Sequence, residues 1–265
     1  IQIYDGTNWT TSPATLGTGG NSISSTGTST AGLVFGGSNR LNLTEEWNGS
    51  AMSTGGNMST SKYGRGSANQ APSENAMSAG GGIPAQTTVE NYDGTSWSTL
   101  PSLAVATNSI KGAGTASSAM MMGGGPGAGP VFNTSTEFDQ STNTITAAAW
   151  ASGGNLNTGR QDVGGCGTKS AGLAIGGRTG SSGPFTQANN SEEYDGTSWT
   201  EGNNLNTARG EGSGAGTQTA AVYFGGAPDS NATENYNGTS WTTSPGTLNT
   251  GRSSGASFGA SYTSA

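Results

Sequence analysis

The chain of 265 residues contains 48 glycines and carries a formal net charge of −7 from 9 basic and 16 acidic residues. The basic residues form no cluster, which argues against nucleic acid and anionic membrane surfaces as partners, because both are bound through groups of Lys and Arg. No apolar stretch approaches the ~20 residues of a membrane-spanning helix, so membrane insertion is not expected. Cys166 is the only cysteine and histidine is absent, so the sequence predicts no disulfide framework and no thiolate or imidazole site.

A short phrase recurs along the chain: an aromatic residue, then Asp-Gly or Asn-Gly, then tryptophan. The second copy has Met52 in the tryptophan position, and the fourth is stretched before Trp150. Successive copies begin 42 to 56 residues apart, a period that predicts stacked units of the size of propeller blades. This regularity outweighs the Gly- and Ser-rich composition, which alone would suggest disorder. The six aromatic leaders are Tyr4, Trp47, Tyr92, Phe138, Tyr194 and Tyr236.

The unit around the last two phrases predicts four strands most clearly. Its Gly-rich stretch 212–217 suits an innermost strand, where small side chains fit the converging backbone. The apolar run 220–224 is closed by two glycines and predicts a strand buried on both faces. Asn237-Gly238 is typical of a tight turn between a third strand ending at Tyr236 and an outer strand at 240–243. Four strands per unit is the count of a propeller blade.

The sequence therefore predicts an all-β fold, a six-bladed propeller of four-stranded blades forming one domain over residues 1–265. The chain begins with the outer half of a unit, Ile1–Thr11, and ends with the inner half of another, Gly251–Ala265. We expect both ends to combine in the sixth blade and close the ring, which removes an open sheet edge. That unit lacks an apolar run ending in two glycines. Either Ser261–Ala265 serves as an abbreviated second strand, or the natural protein continues beyond this chain.

Two further landmarks accompany the phrase, namely a basic residue and an apolar run that ends in Gly-Gly. Together the three landmarks resemble the kelch repeat over nearly the whole chain. Some kelch-type propellers are oxidases with a copper site built partly from histidines, and without histidine that implication fails, so no cofactor or metal is expected. The basic landmark is Arg160, Arg209, Arg252 and Lys62, and it is replaced by Gly20 and Thr107 in two units. Other apolar diglycine runs lie at Leu33–Gly37, Met77–Gly82, Met120–Gly125 and Leu173–Gly177.

The amino-acid sequences of the repeats also resemble those of a narrower group of proteins. Asn206-Thr207-Ala208-Arg209 and the Tyr-Asp-Gly-Thr-Ser-Trp phrase at 194–199 are similar to kelch-like repeats in virion proteins of tailed marine phages. This resemblance implies a tail-fibre, adhesin or capsid-surface role in a virion or outside a cell. It implies as partner a host-surface glycan or another virion protein, and a trimer is the common state of tail fibres, although no trimer seam is visible in these residues.

Several repeated side chains admit a chemical and a structural interpretation. The tryptophans could stack on sugars, but their fixed phase favours packing between blades. Asp5, Asp93 and Asp195 supply one carboxylate per phrase, which favours a turn over a calcium loop. The basic landmarks could ring an anion, but a structural hydrogen-bonding role between blades is favoured. Cys166 lies where other units have small residues and is expected to pack.

The loops between second and third strands vary in length, whereas the hairpin turns on the opposite face are nearly invariant. Variation on a fixed scaffold is how repeat folds carry recognition, although neutral drift of the loops is the alternative. The two longest loops, 126–136 and 178–191, therefore form the predicted ligand or partner face. Its candidate residues are Phe132, Asn133, Arg178, Phe185, Gln187 and Asn189.

These features favour a non-enzymatic recognition or structural module with no catalytic residues. The alternative is a propeller glycoside hydrolase or polysaccharide lyase, for which two carboxylates suffice. The two hypotheses differ in one structural expectation. The hydrolase requires an acid pair that converges on the mouth of the central channel, and no acid in the sequence departs from the repeat pattern in a way that identifies such a pair. An intracellular adaptor propeller fits poorly, since such domains usually carry more charge.

Overall fold

A computed structural model describes residues 1–39, 42–70, 72–127, 129–140, 149–180, 185–257 and 259. In these stretches the regular structure consists of β-strands, and none of them contains a helix long and apolar enough to span a membrane. A hairpin of β1 (Gln2–Tyr4) and β2 (Trp9–Thr11) stands apart from five four-stranded antiparallel sheets. The fold is a β-propeller, and each four-stranded sheet is one blade.

The strands of the blades follow one another along the chain, with the first strand of each blade lining the central channel. Blade 1 contains β3 (Ser24–Thr28), β4 (Ala31–Phe35), β5 (Thr44–Trp47) and β6 (Met52–Thr54). Blade 2 contains β7 (Gly66–Ser67), β8 (Ala76–Ala79), β9 (Val89–Tyr92) and β10 (Trp97–Leu100). Blade 3 contains β11 (Lys111–Thr115), β12 (Ser118–Met122), β13 (Ser135–Asp139) and β14 (Ala149–Ser152).

Blade 4 has an additional hairpin inserted between its second and third strands. Its four strands are β15 (Gly164–Thr168), β16 (Ala171–Ile175), β19 (Ser191–Tyr194) and β20 (Trp199–Glu201). The inserted hairpin consists of β17 (Arg178–Thr179) and β18 (Thr186–Gln187). Blade 5 contains β21 (Ser213–Thr217), β22 (Ala220–Phe224), β23 (Thr233–Tyr236) and β24 (Trp241–Thr243). The four strands predicted for this unit are confirmed to within one residue at each end.

The glycines of the first strands allow the blades to converge. A Cβ on Gly165 would lie 3.3 Å from the carbonyl oxygen of Gly112 in the neighbouring blade, so a larger side chain would push the strands apart. The turn from first to second strand also requires glycine. Gly216 has a φ of +109°, and a Cβ there would lie 2.3 Å from the carbonyl oxygen of Ala220. The Gly-rich composition thus reflects the geometry of the ring.

Aromatic residues join neighbouring blades, as the packing interpretation predicted. Tyr236 stacks on Trp241 within blade 5, with ring centroids 4.9 Å apart. The indole Nε1 of Trp241 donates to Ser191 Oγ of blade 4 at 3.2 Å. Trp97, Trp199 and Trp9 donate in the same way to Thr44, Ser135 and Thr233 of the preceding blades. Their rings are therefore occupied in the interior contacts between blades and are not presented together as a sugar-binding surface.

Two of the basic landmarks, Arg160 and Arg209, form buried ion pairs within blades, so the structural interpretation holds for them but the predicted contact between blades is wrong. Arg160 pairs with Glu192 at 2.5 Å and Arg209 with Glu234 at 2.8 Å, and both pairs lie in the interior of their own blade. In blade 2 the sequence assigned this role to Lys62, which is also wrong. Arg65, three residues later, pairs with Glu90 at 3.4 Å and donates to Ser78 Oγ at 2.7 Å, so its guanidinium takes the place of the landmark in this blade.

The prediction of six four-stranded blades is also wrong, since the described residues form five. The two ends of the chain do meet, because the Asn249 amide nitrogen donates to Gln2 Oε1 at 3.0 Å. Segment 255–257 lies between blades 5 and 1, where Ser257 Oγ donates to the Gly214 carbonyl at 2.9 Å and its own carbonyl accepts from Ser25. Within the described residues no apolar strand joins this segment to β1, and their strands at this position form only the two-stranded sheet β1–β2. The predicted second strand at 261–265 lies outside the described residues.

Candidate ligand site at the channel mouth

The central channel is too narrow to hold an organic ligand. Its walls are formed mainly by small residues of the first strands, such as Ser24, Gly112 and Gly214, and the cavity between them measures about 30 Å³. A single water molecule needs roughly 10–15 Å³, so only two or three waters fit. A ligand can therefore meet the channel only at its mouth.

The mouth on the loop face is framed by six equivalent residues, each two positions after a basic landmark or its replacement. All six have a positive φ of 52° to 66°. Backbone hydrogen bonds link several neighbours, from the Glu211 amide to the Asp162 carbonyl at 2.9 Å and from the Ser254 amide to the Glu211 carbonyl at 2.8 Å. This backbone arrangement holds the side chains at fixed positions around the mouth. The six residues are Ser22, Gly64, Ser109, Asp162, Glu211 and Ser254.

Two of these residues are acidic and are bound by one guanidinium. Arg178 Nε and Nη2 donate to Asp162 Oδ2 at 2.9 and 2.5 Å. Its Nη1 lies 2.7 Å from Glu211 Oε1. Glu211 also accepts from Ser254 Oγ at 2.8 Å through its other oxygen. All three ionic side chains are about one-fifth exposed, so they are accessible from solvent yet held by one another.

The inserted hairpin β17–β18 carries Arg178 to this position. The backbones of Arg178 and Gln161 exchange two hydrogen bonds of 2.8 and 3.0 Å, which fix the hairpin to the crossover before blade 4. Gln187 Oε1 accepts from the Gly210 amide at 2.5 Å and fixes it to the crossover before blade 5. The ring of Phe185 covers the Arg178 guanidinium at 4.6 Å and is 39% exposed.

Lys111 on β11 lines the same mouth. Burial lowers the pKa of its ammonium group, while the charges of Asp162 and Glu211 act in the opposite direction. With Arg178 the mouth thus holds two basic side chains beside the two acidic ones, while the third basic residue of its lining, Arg65, is paired with Glu90. Its local charge is balanced, although the whole chain is acidic.

The structure brings together three of the six predicted residues, Arg178, Phe185 and Gln187. Asn189 instead lies under the loop, where its Nδ2 donates to the Leu205 carbonyl at 3.4 Å. The other two, Phe132 and Asn133, lie on the loop of blade 3, where the Asn133 carbonyl accepts from the Leu156 amide. Among the described residues no hydrogen bond or ring contact joins these two to Arg178 or Phe185.

Sequence reasoning missed Asp162, Glu211 and Lys111. The expectation that no acid departs from the repeat pattern in a way that identifies a pair is wrong. Asp162 and Glu211 occupy a position where the other four units have serine or glycine. Comparison of the units at the second residue after each basic landmark would have identified both.

Other candidate side chains have structural roles. The carboxylate of Asp195 accepts from the amides of Thr197 and Ser198 at 2.8 Å, as expected of a turn residue. Burial raises the pKa of the Cys166 thiol to about 12. Within the described stretches, His, Cys, Asp and Glu side chains form no group of three or more with metal-binding geometry.

Comparison with known proteins yields the fold and no family. No family model matches the chain, and no curated protein matches it. Among solved structures, the one titled "Structure of YjhT" superimposes with a TM-score of 0.70 at 13% sequence identity. The match covers 89% of this chain and 87% of that one. At this identity the likeness shows a shared β-propeller fold.

Proposed function

We propose that this chain is a non-enzymatic recognition propeller that binds a neutral saccharide at the channel mouth. The observation that carries the proposal is the partly exposed ring of Phe185, whose centroid lies 4.6 Å from an Arg178 guanidinium that two carboxylates neutralise. A rigid aromatic face beside fixed polar groups is the usual composition of a small-molecule site. The ring offers a stacking surface, and the carboxylates and guanidinium offer acceptors and donors to hydroxyl groups.

Charge balance favours a neutral sugar over an anionic one. An anionic ligand needs a guanidinium or ammonium group that is free to pair with it. Arg178 already bonds Asp162 through two nitrogens and Glu211 through the third, and the ammonium group of Lys111 lies in the field of the same two carboxylates. An anion would have to displace these carboxylates, whereas hydroxyl groups can bond to their remaining lone pairs.

A glycoside hydrolase or lyase is the second candidate, because an acid pair does converge on the channel mouth. A hydrolase with two carboxyl groups keeps one of them protonated as the general acid, in an environment different from that of its partner. Here Asp162 and Glu211 share one guanidinium. The two carboxylates therefore have the same counter-charge, and they lack the unlike environments that a general acid and its partner need, which supports binding over cleavage.

We further propose that the propeller is displayed on a virion surface or tail fibre, outside the cell, with a host-surface glycan as its ligand. This part of the proposal is supported only by the resemblance of the repeat sequences to those of virion proteins. A second virion protein as the partner, and a trimeric assembly, are proposals of the same origin.

A glycan array probed with the purified chain, followed by analysis of the sugars for cleavage, tests the proposal. Neutral glycans should bind without cleavage, and Phe185→Ala should weaken binding about tenfold, as expected for the loss of ~1.4 kcal/mol. Ile83→Ala is the matched control, since Ile83 is 66% exposed on a loop of blade 2 and should not affect binding. Cleavage that Asp162→Asn abolishes would establish the hydrolase, and absence of binding to any glycan would overturn saccharide recognition.

A further inference from the structure

A second cavity lies in the sixth position of the ring, between hairpin β1–β2 and segment 255–257. Its volume is about 430 Å³, within the range of ligand-binding pockets. In each complete blade the same place, between the first and third strands, holds the apolar second strand. The walls of the cavity show whether such a strand would fit.

The wall of the cavity that blade 1 forms is equivalent to a surface that packs against a second strand in another pair of blades. In blade 5 the equivalent wall clusters with Leu173 and Ile175 of β16 in the preceding blade. Leu16, Val34, Trp47 and Met52 line the cavity at the positions that correspond to Leu205, Tyr223, Tyr236 and Trp241.

The opposite wall of the cavity, formed by blade 5, is equivalent to a second surface that contacts strand β16 in blade 4. Phe224 lines the cavity from blade 5 and corresponds in the repeat to Met122 of blade 3. Met122 clusters with Ala174, the residue of β16 that lies between Leu173 and Ile175. One strand whose side chains alternate as in β16 would therefore contact both walls.

Strand β1 presents the hydrogen-bonding edge that such a strand needs. The third strand of blade 4, β19, pairs with β16 on one side and with β20 on the other. In the part of the chain that the structure describes, β1 pairs with β2 alone. An unpaired strand edge is a template for the addition of an extended peptide.

The polar residues beside the cavity differ from those of a complete blade in a way that matters for a bound peptide. Gln2 stands where the buried glutamates Glu192 and Glu234 stand in blades 4 and 5, so Arg252 has no carboxylate at that position and is exposed. The corresponding Arg160 donates through Nη1 to the carbonyl of Gly176, the first glycine after β16, at 2.6 Å. A bound strand that ends in Gly-Gly would offer the same carbonyl to Arg252.

We propose that this cavity accepts a β-strand from a second polypeptide, an apolar segment that ends in Gly-Gly. The strand pairs antiparallel with β1 and completes the sixth blade. The same interface is formed within the chain in each of the five complete blades, which defines the chemistry of the partner. The proposal is independent of saccharide binding at the channel mouth.

Titration of the full chain with a synthetic peptide of the sequence Ala171–Gly177 tests this. The peptide should bind, change the fluorescence of the tryptophans that line the cavity, Trp9 and Trp47, and raise Tm, since it binds the folded state. A control peptide with Leu173→Asp and Ile175→Asp should bind at least about tenfold more weakly. Met52→Glu, at a half-buried cavity residue, should weaken binding of the first peptide by a similar factor, while Ile83→Glu should leave it unchanged.

Three results would overturn the proposal. They are absence of binding by the apolar peptide, equal binding of the two peptides, and binding that Met52→Glu does not affect. Hydrogen exchange supplies an independent readout, because pairing with β1 should slow exchange at the amide groups of its free edge. A saturating peptide that leaves exchange in Gln2–Tyr4 unchanged would show that it does not pair there.

Discussion

The guanidinium of Arg160 lies 2.5 Å from the carboxylate of Glu192, and neither side chain is exposed to solvent. Arg160 Nη1 also donates to the carbonyls of Gly176 and Asn190, at 2.6 and 2.8 Å. This one side chain therefore links the crossover segment that precedes blade 4 to the second and third strands of that blade. A buried pair of this kind matters less for its net energy than for the cost of losing one partner.

Glu192→Gln should lower the free energy of unfolding by about 3 kcal/mol, because it leaves a buried guanidinium without its counter-charge. Urea unfolding of the two proteins gives this value. Glu74→Gln, at an exposed position, is the control and should change stability by less than about 0.5 kcal/mol. Equal stability of Glu192→Gln and the parent chain would show that the pair is not buried in solution.

Gly216→Ala should destabilise the chain by more than about 2 kcal/mol. The φ of +109° disfavours any side chain, and the new Cβ would lie 2.3 Å from the Ala220 carbonyl oxygen. Gly19→Ala is the matched control, since a Cβ there meets nothing within 4 Å. Thermal unfolding that ranks the two variants in the reverse order would contradict this account of the turn.

Acid should weaken the turn at Asp195. Hydrogen bonds from the amides of Ser198 and Thr197 lower the pKa of its carboxyl below the ordinary value of 3.8. A lowered pKa in the folded state means that the stabilisation is complete above pH 3.8 and is lost as pH falls through the folded pKa. Asp195→Asn should fold, since Asn237 accepts the same two bonds in blade 5. Its stability should fall less steeply than that of the parent between about pH 4 and pH 2, and parallel curves would contradict the prediction.

Cys166 should be unreactive in the folded chain. Burial raises the pKa of its thiol to about 12, so at pH 8 almost none is present as the reactive thiolate. A thiol reagent at pH 8 should modify the chain only after unfolding in urea, at one equivalent per chain. Rapid modification of the folded protein would place this residue at the surface instead.

The repeats predicted most of the local structure. Two kinds of feature could be predicted in this way. The strands of blade 5 and the turn at Asn237-Gly238 depend on residues within one unit, and the packing of Trp241 is repeated at the equivalent position of other units. Periodic sequence carries such information directly, because every blade repeats the same hydrophobic pattern and the same turn. Departures from the repeat pattern in a single unit were harder to interpret. Lys62 occupies the landmark position of blade 2, yet the guanidinium that pairs with the glutamate in that blade comes from Arg65.

The channel mouth and the sixth position were decided by tertiary structure. Arg178 meets Asp162 and Glu211 because an inserted hairpin folds back over two crossovers, and this hairpin is not part of the repeated pattern. Local periodicity in the sequence was sufficient to predict the four-stranded blade as the repeating unit. The number of complete blades and the cavity beside β1 depend on how units close a ring, which is a property of packing between distant residues such as Gln2 and Asn249.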